Sequence, residues 1–144
     1  MKIWNKEYSP ELINNYATGT MVEHLGIEIT EVGDNYICGT MPVDKRTIQP
    51  YGILHGGASV VLAESLGSIA GNMSCPEGFT CVGLEVNANH IKKVTEGVVR
   101  GKASPIHIGR STQIWDIRMT KEDKDICVSR LTLAVIEKKE DDGL

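Results

Sequence analysis

A single carboxylate, Glu64, stands inside an otherwise apolar stretch that opens with the triplet His55-Gly56-Gly57. Burying a lone carboxylate is costly, so Glu64 requires specific partners or takes part in chemistry. The start of a helix offers unpaired N–H groups that hold an oxyanion, and glycine lets a carbonyl group approach them closely. Ser68 follows Glu64 by four residues and lies on the same helical face, where its hydroxyl can hydrogen-bond the carboxylate or a water molecule beside it. The pattern indicates chemistry on a carbonyl group.

The spacing within this stretch has a structural consequence. Glu64 follows Gly56 by eight residues, so the helical rise separates them by ~12 Å. A reacting carbonyl must lie about 3 Å from both the nucleophile and the oxyanion donors. The two groups of one chain therefore cannot act on the same carbonyl. If both are catalytic, Glu64 of one subunit must face Gly56 of another, which predicts a homodimer with two shared active sites.

The elements around this stretch predict an α+β fold. The central helix is expected to begin near Gly56 or Gly57 and to end by Ser74, because Pro76 forbids continuation. Apolar residues most of the way round predict that this helix is buried. Shorter helices are predicted over residues 10–17 and 21–25, and strands over 27–32, 36–43, 80–90, 97–104, 112–120 and 126–137. We expect the last four strands to form one antiparallel meander, in a curved sheet covered by the central helix.

Composition bounds the possible functions. The 144 residues predict one domain over 1–144, with a frayed acidic tail from about residue 138. The net charge of −4 gives no basic footprint for nucleic acid. Neither a signal sequence nor an uninterrupted apolar span is visible, so no membrane association is expected. Four cysteines without metal-ligand spacing favour a cytoplasmic protein without a metal site.

The opening stretch carries a resemblance to a known family. The sequence QPYGILHGG at residues 49–57, followed by Glu64 and Ser68, resembles the hotdog-fold acyl-CoA thioesterases of the phenylacetyl-CoA and 4-hydroxybenzoyl-CoA type. The resemblance continues through MPVD at 41–44, GLEVNANH at 83–90, SPIHIG at 104–109 and SRLT at 129–132, and covers roughly residues 18–137. Over this length the chain is also similar to the 1,4-dihydroxy-2-naphthoyl-CoA thioesterases of menaquinone synthesis.

The resemblance implies roles for individual residues. Glu64 is implied to be the nucleophile or the general base that activates water, and these two roles remain open. The Gly56 N–H is implied to be the oxyanion donor, while Gln49 and His55 orient and polarise the thioester. Contacts to the CoA moiety are implied for Gly83, His90, Ile91, Lys92, Lys93, His107, Ile108, Gly109, Arg110, Ser111 and Thr112. The family implies a hotdog fold, a homodimer joined edge to edge, a homotetramer, and no cofactor because CoA belongs to the substrate.

Two other functions use some of the same residues. A 3-hydroxyacyl-thioester dehydratase would need a histidine and an acid to remove a proton, which His55 and Glu64 superficially supply. A non-catalytic acyl-CoA binding module would keep the cationic contacts but would not need Glu64. Gln49 and Ser68 favour hydrolysis over dehydration. The acyl group, whether naphthoyl, benzoyl or a medium chain, is left open by the sequence, as is the pocket that Tyr51, Leu62 and Met73 are candidates to line.

Overall fold

A computed structural model describes residues 1–140. Three helices occupy α1 (Pro10–Tyr16), α2 (Met21–His24) and α3 (Gly56–Ser74). The six strands are β1 (Glu28–Val32), β2 (Ile37–Pro42), β3 (Phe79–His90), β4 (Val98–Ile108), β5 (Thr112–Lys121) and β6 (Lys124–Glu137). The predicted α+β architecture, a curved antiparallel sheet around one long helix, is confirmed. The last residues of the predicted tail, 141–144, lie outside the described residues.

Local chemistry explains where the helices begin and end. Ser9 caps α1, since its side chain accepts a hydrogen bond from the Leu12 N–H, and Pro10 takes the first helical position. His55 caps α3 in the same way, because its side chain accepts a hydrogen bond from the Gly57 N–H. The helix ends at Ser74, and Cys75 adopts an extended conformation before Pro76. The predicted start and end of the central helix are therefore confirmed.

The strand order differs from the predicted meander. All six strands form one sheet in the order β1-β2-β4-β5-β6-β3. Only β4, β5 and β6 form the expected consecutive run, because α3 lies between β2 and β3 in sequence and β2 pairs directly with β4. Strand β3 is carried to the far side, where it pairs with β6 and forms an edge of the sheet. The prediction that β3 and β4 are neighbours was wrong, since a hairpin connection was assumed where the chain crosses over.

Residues 105–108 also depart from prediction. They were expected in a loop, yet β4 continues to Ile108. The ladder with β5 shifts register between Pro105 and His107. A bulge of this kind accommodates a proline, which cannot donate to the ladder, without ending the strand. His107 and Ile108 therefore lie in a strand, and the loop is reduced to residues 109–111.

Helix α3 packs against the concave face of the sheet. Its buried side includes Leu62, Leu66 and Ala70, which are fully inaccessible to solvent. The opposite side is not covered within one chain: a stripe made of Val61, Glu64, Ser65, Ser68, Ile69 and Asn72 is half-buried or exposed. The prediction of a helix buried all round was wrong for a single chain. In residues 1–140, no helix is long and apolar enough to cross a membrane.

Candidate functional site

The N-terminal end of α3 leaves one backbone donor available. The N–H of Gly57 bonds His55 Nδ1 at 2.8 Å, and those of Ala58 and Ser59 bond the His55 carbonyl oxygen. Within residues 1–140, the Gly56 N–H has no acceptor. Free N–H groups at a helix start carry partial positive charge and stabilise an anionic oxygen. The geometry thus leaves a free N–H group at Gly56, the residue for which the oxyanion role was predicted.

His55 is held in one tautomer by this cap. Because Nδ1 accepts the hydrogen bond from Gly57, the proton of the neutral ring is on Nε2. The Nε2–H group is then a donor on an exposed side chain next to Gly56. A donor at this place can polarise a carbonyl oxygen. The hydrogen bond between His55 and Gly57 therefore orients the His55 ring so that its Nε2–H group lies beside the free Gly56 N–H.

Gln49 is positioned by the turn that precedes α3. Its side-chain Oε1 accepts a hydrogen bond from the Tyr51 N–H, and its backbone N–H donates to the Ile53 carbonyl oxygen at 2.9 Å. The side-chain Nε2 has no acceptor among the described residues, so the amide group presents its N–H₂ outward from a half-buried position. Gln49 can therefore act as a second donor near the N-terminal end of the helix.

Glu64 lies against the edge strand. Gly83 of β3 is so close that a Cβ there would be 2.6 Å from Glu64 Oε1. Neither the Glu64 carboxylate nor the Ser68 hydroxyl has a hydrogen-bond partner within residues 1–140, so the bond expected between them is not formed. Both groups are half-buried on the uncovered stripe of α3. They are available to a ligand or a water molecule.

His90, at the other end of β3, faces the start of the helix. A Cβ at position 56 would be 2.8 Å from His90 Nε2. Helix α3 therefore runs antiparallel to β3, with Gly56 near His90 and Glu64 near Gly83. Along the same direction, the Asn72 side chain accepts hydrogen bonds from Thr80 Oγ1 at 2.6 Å and the Cys81 N–H at 2.9 Å. Strand β3 thus contacts both the start of α3 at Gly56 and the Glu64 carboxylate.

The residues implied to contact CoA form two groups. His90 pairs with Cys127 of β6, whereas Thr112 pairs with Ala134 of the same strand. Seven residues along β6 separate these levels, which is about 23 Å. The group at residues 90–93 and the group at 107–112 therefore lie at opposite ends of the sheet. A single chain therefore does not bring the two groups together. Gly83, the remaining residue implied to contact CoA, lies beside Glu64.

Two features of the site were missed by sequence reasoning. Lys121 and Lys124, from the β5–β6 turn, lie beside Lys92 and Lys93 around a cavity of about 180 Å³. No local pattern indicates this, because the turn and residues 92–93 are about 30 positions apart. Asn5, Lys6 and Tyr8, from the leader segment at residues 1–8, line a larger cavity that Ser68 also lines. No three His, Cys, Asp or Glu side chains in residues 1–140 are grouped to hold a metal ion.

Three comparisons with known proteins point to the same family. The model of the thioesterase superfamily matches residues 51–128. Proofreading thioesterase EntH of Cronobacter turicensis is 48% identical over 93% of this chain and 98% of its own. The 1,4-dihydroxy-2-naphthoyl-CoA hydrolase of Escherichia coli is 48% identical over 93% of this chain and 99% of its own. A crystal structure of a Haemophilus influenzae thioesterase has a TM-score of 0.91 at 51% identity, covering 94% of this chain and 95% of that one.

Proposed function

Because the chain belongs to the thioesterase superfamily and is a hydrolase that acts on thioester bonds, we propose that it cleaves an aromatic or related acyl-CoA to the free acid and CoA. The observation that carries this proposal is that, among residues 1–140, the Gly56 N–H has no acceptor and the Glu64 carboxylate has no hydrogen-bond donor, so both can act on a substrate. In this proposal, Glu64 attacks the thioester carbon or activates water for the attack.

The reacting carbonyl is held by the other subunit. Gly56 and Glu64 of one chain are separated by ~12 Å of helical rise, so the Gly56 N–H of the partner subunit receives the oxygen. His55 and Gln49 of the partner subunit supply further donors. As charge develops on that oxygen, these donors stabilise it more than they stabilise the neutral carbonyl. Ser68 then places its hydroxyl beside the Glu64 carboxylate and the incoming water.

The exposed edge of β3 provides a way to build this dimer. Strand β3 pairs only with β6 in the described chain, and Leu84 on it is 61% exposed. Antiparallel pairing of two β3 strands, centred between Val86 and Asn87, places Gly83 opposite the partner's His90. Since Gly83 touches Glu64 and His90 touches Gly56, this register brings Glu64 close to the partner's Gly56. An unpaired edge of this length is otherwise an aggregation liability.

The same register unites the two groups of CoA-contacting residues. It places the partner's residues 90–93 beside residues 82–83, three strand spacings or about 15 Å from the start of β5. Lysines and backbone N–H groups from the two chains then surround one CoA, whose phosphates suit such donors. A homotetramer of two such dimers and a cytoplasmic location remain proposals that rest on the family and on the four free cysteines.

Hydrolysis tests this function directly. Purified protein is incubated with several acyl-CoAs, and free thiol release is followed for wild type, Glu64→Gln and the matched control Glu28→Gln on the distant β1 edge. Loss of the carboxylate is expected to lower kcat by roughly 10²–10⁴-fold, while the control remains unchanged. The proposed mechanism fails if wild type releases no thiol or if Glu64→Gln keeps full activity.

The identity of the acyl group requires a separate experiment with a panel of acyl-CoA substrates. Relatives with two different names, EntH and 1,4-dihydroxy-2-naphthoyl-CoA hydrolase, share the same 48% identity with this chain, so identity does not select between their substrates. We propose the naphthoyl and benzoyl thioesters as the first candidates. A comparison of kcat/KM for naphthoyl-, benzoyl- and medium-chain acyl-CoA decides among them. A role in menaquinone synthesis would be supported only by a preference for the naphthoyl thioester.

A further inference from the structure

Two buried cysteines face each other where α3 ends and β3 begins. The Sγ atoms of Cys75 and Cys81 are 3.1 Å apart, and both residues are free cysteines. An S–S bond is about 2.05 Å long, so the two sulfur atoms need to approach by only about 1 Å to form one. The proposed hydrolysis uses neither thiol. The pair is therefore a candidate for chemistry of its own.

The surrounding backbone holds the two thiols in this arrangement. Residues 76–80 connect them and turn at Gly78, whose positive φ of 85° suits a glycine. Asn72, in the last turn of α3, accepts a hydrogen bond from the Cys81 N–H at 2.9 Å and donates one to the Cys81 carbonyl oxygen at 3.4 Å. The end of the helix and the start of the strand are thus fixed side by side, and a small side-chain movement is enough to join the sulfur atoms.

The hydrogen bond within the pair makes one thiol the better nucleophile. The Cys81 S–H group donates to Cys75, which lowers the pKa of Cys75, and the positive charge of Lys138 lowers it further. Gln113 Nε2 is another donor to Cys75 Sγ, at 3.8 Å. The pKa of Cys81 is raised, because its proton is held by Cys75 and because it is buried. Since the thiolate is the reactive form, Cys75 is the attacking sulfur and Cys81 the resolving one.

A small oxidant can approach the pair although Cys75 and Cys81 are only 0% and 6% exposed. Residues 76–78 between them are exposed and, together with Phe79, line one side of the cavity of about 790 Å³. The thiols therefore lie directly beneath a short surface turn. Local opening of such a turn admits a molecule of the size of hydrogen peroxide, whereas a bulky disulfide such as oxidised glutathione is excluded.

We propose that Cys75 and Cys81 are a redox modification site, which hydrogen peroxide converts reversibly to a disulfide that the native fold accepts. The Cys75 thiolate attacks one peroxide oxygen, the O–O bond breaks, and hydroxide leaves with the proton that Cys75 released, as water. The Cys81 thiol then attacks the sulfur of the Cys75 sulfenic acid, the S–O bond breaks, and a second water leaves. Two thiols are oxidised, and one peroxide is reduced to two water molecules. Disulfides of this transient kind are the ones found in reducing compartments.

The other two cysteines are internal controls. Burial raises the pKa of both Cys38 and Cys127, so their thiolate forms are disfavoured. Among residues 1–140, no two thiols other than Cys75 and Cys81 are in hydrogen-bond contact. We therefore expect peroxide to oxidise the pair at least about 10-fold faster than Cys38 or Cys127.

Mass spectrometry tests the site. Reduced wild type is treated with hydrogen peroxide, denatured and alkylated with iodoacetamide, and its peptides are mapped. We expect two of the four cysteines to escape alkylation, joined as a Cys75–Cys81 disulfide, and dithiothreitol to restore all four thiols. Cys81→Ser should form no disulfide, while the matched control Cys127→Ser should form it as wild type does. Four alkylated cysteines, a disulfide that includes Cys38 or Cys127, or oxidation that dithiothreitol does not reverse would each overturn the proposal.

Thermal unfolding tests whether the fold accepts the bond, without use of a variant. A cross-link restricts the unfolded chain, so oxidised wild type is expected to melt about 5 °C higher than the reduced protein. Dithiothreitol should remove this difference. An equal or lower melting temperature after oxidation would contradict a disulfide that fits the native structure. Both experiments are independent of thioester hydrolysis, so their failure would leave the proposed function untouched.

Discussion

Gly83 on the edge strand and Glu64 on the central helix are in direct contact, with no room for a side chain between them. A Cβ at position 83 would be 2.6 Å from Glu64 Oε1 and 3.8 Å from its Cδ. The edge strand therefore fixes one side of the space that the carboxylate occupies. This contact gives Gly83 a role in placing the acid, in addition to its implied contact with CoA.

Gly83→Ala is expected to reduce activity more than stability. The added methyl group must displace the Glu64 carboxylate, which is the end of a flexible side chain, so the fold can adjust. A displacement of about 1 Å can cost ~100-fold in rate. We expect kcat to fall by roughly 10- to 100-fold with a small change in melting temperature. Val98→Ala, which trims an exposed side chain at the start of β4, away from this edge, should keep kcat; equal loss in both variants would contradict this role.

Gly56→Pro removes the oxyanion donor alone. Proline is accepted at the first position of a helix, and His55 already has the extended conformation (φ −68°, ψ 129°) that a following proline requires. Loss of one such donor is expected to lower kcat by about 10²–10³-fold. Gly56→Ala is the matched control, because it meets His90 with the same Cβ but keeps the N–H. The role of this donor is contradicted if both variants have the same kcat.

Complementation tests the shared site. Neither Glu64→Ala nor Gly56→Pro is expected to be active alone, because each lacks one group in both sites of its dimer. A heterodimer of the two contains one site with both groups intact. We expect purified heterodimers, isolated with two affinity tags, to recover about half of the wild-type activity. Absence of recovery in verified heterodimers would show that each site is built from a single chain.

Asn72 connects α3 to the edge strand and should contribute to stability. Its side chain accepts from Thr80 Oγ1 and from the Cys81 N–H, and donates to the Ser68 carbonyl oxygen at 3.0 Å. Asn72→Ala leaves the Thr80 hydroxyl and the Cys81 N–H without this acceptor and is expected to lower the free energy of unfolding by about 1–3 kcal/mol in urea titrations. Asn72→Asp keeps the acceptor and should lose less. Unchanged stability in Asn72→Ala would show that water replaces these bonds.

The loop before the site contains a carboxylate with a depressed pKa. Hydrogen bonds from the side chain and the N–H of Arg46 lower the pKa of Asp44 to about 2, from an ordinary value of 3.8. Because the pKa of Asp44 is lower in the folded state, its ionised carboxylate stabilises the fold at pH values above the pKa of the unfolded chain. This stabilisation is lost as pH falls from about 4 to 2. Arg46→Ala should raise the pKa of Asp44 when followed by NMR. An unchanged midpoint would contradict the Arg46 contribution.

The sequence predicted what local chemistry controls and missed what depends on distant contacts. The bounds of α3 followed from His55, the two glycines and Pro76, and its spacing predicts that one site needs two chains if Gly56 and Glu64 are both catalytic. The position of β3 at the sheet edge could not be read from its own residues, since it depends on which strand the crossover reaches. The contact of Asn5 with the end of α3 was missed for the same reason. The Asn5 N–H donates to the carbonyl oxygen of Met73, more than 60 positions away along the chain.

The separation of Gly56 from Glu64 along α3 also has a genetic consequence. In the proposed dimer with shared sites, a mutant chain that lacks only Glu64 still supplies its Gly56 to a normal partner, so each mixed dimer keeps one working site. Such a mutation should be recessive. A chain that carries both Glu64→Ala and Gly56→Pro removes one required group from each of the two sites of its dimer. Such a chain should be dominant-negative. The two substitutions therefore inactivate a normal partner only when the same chain carries both of them.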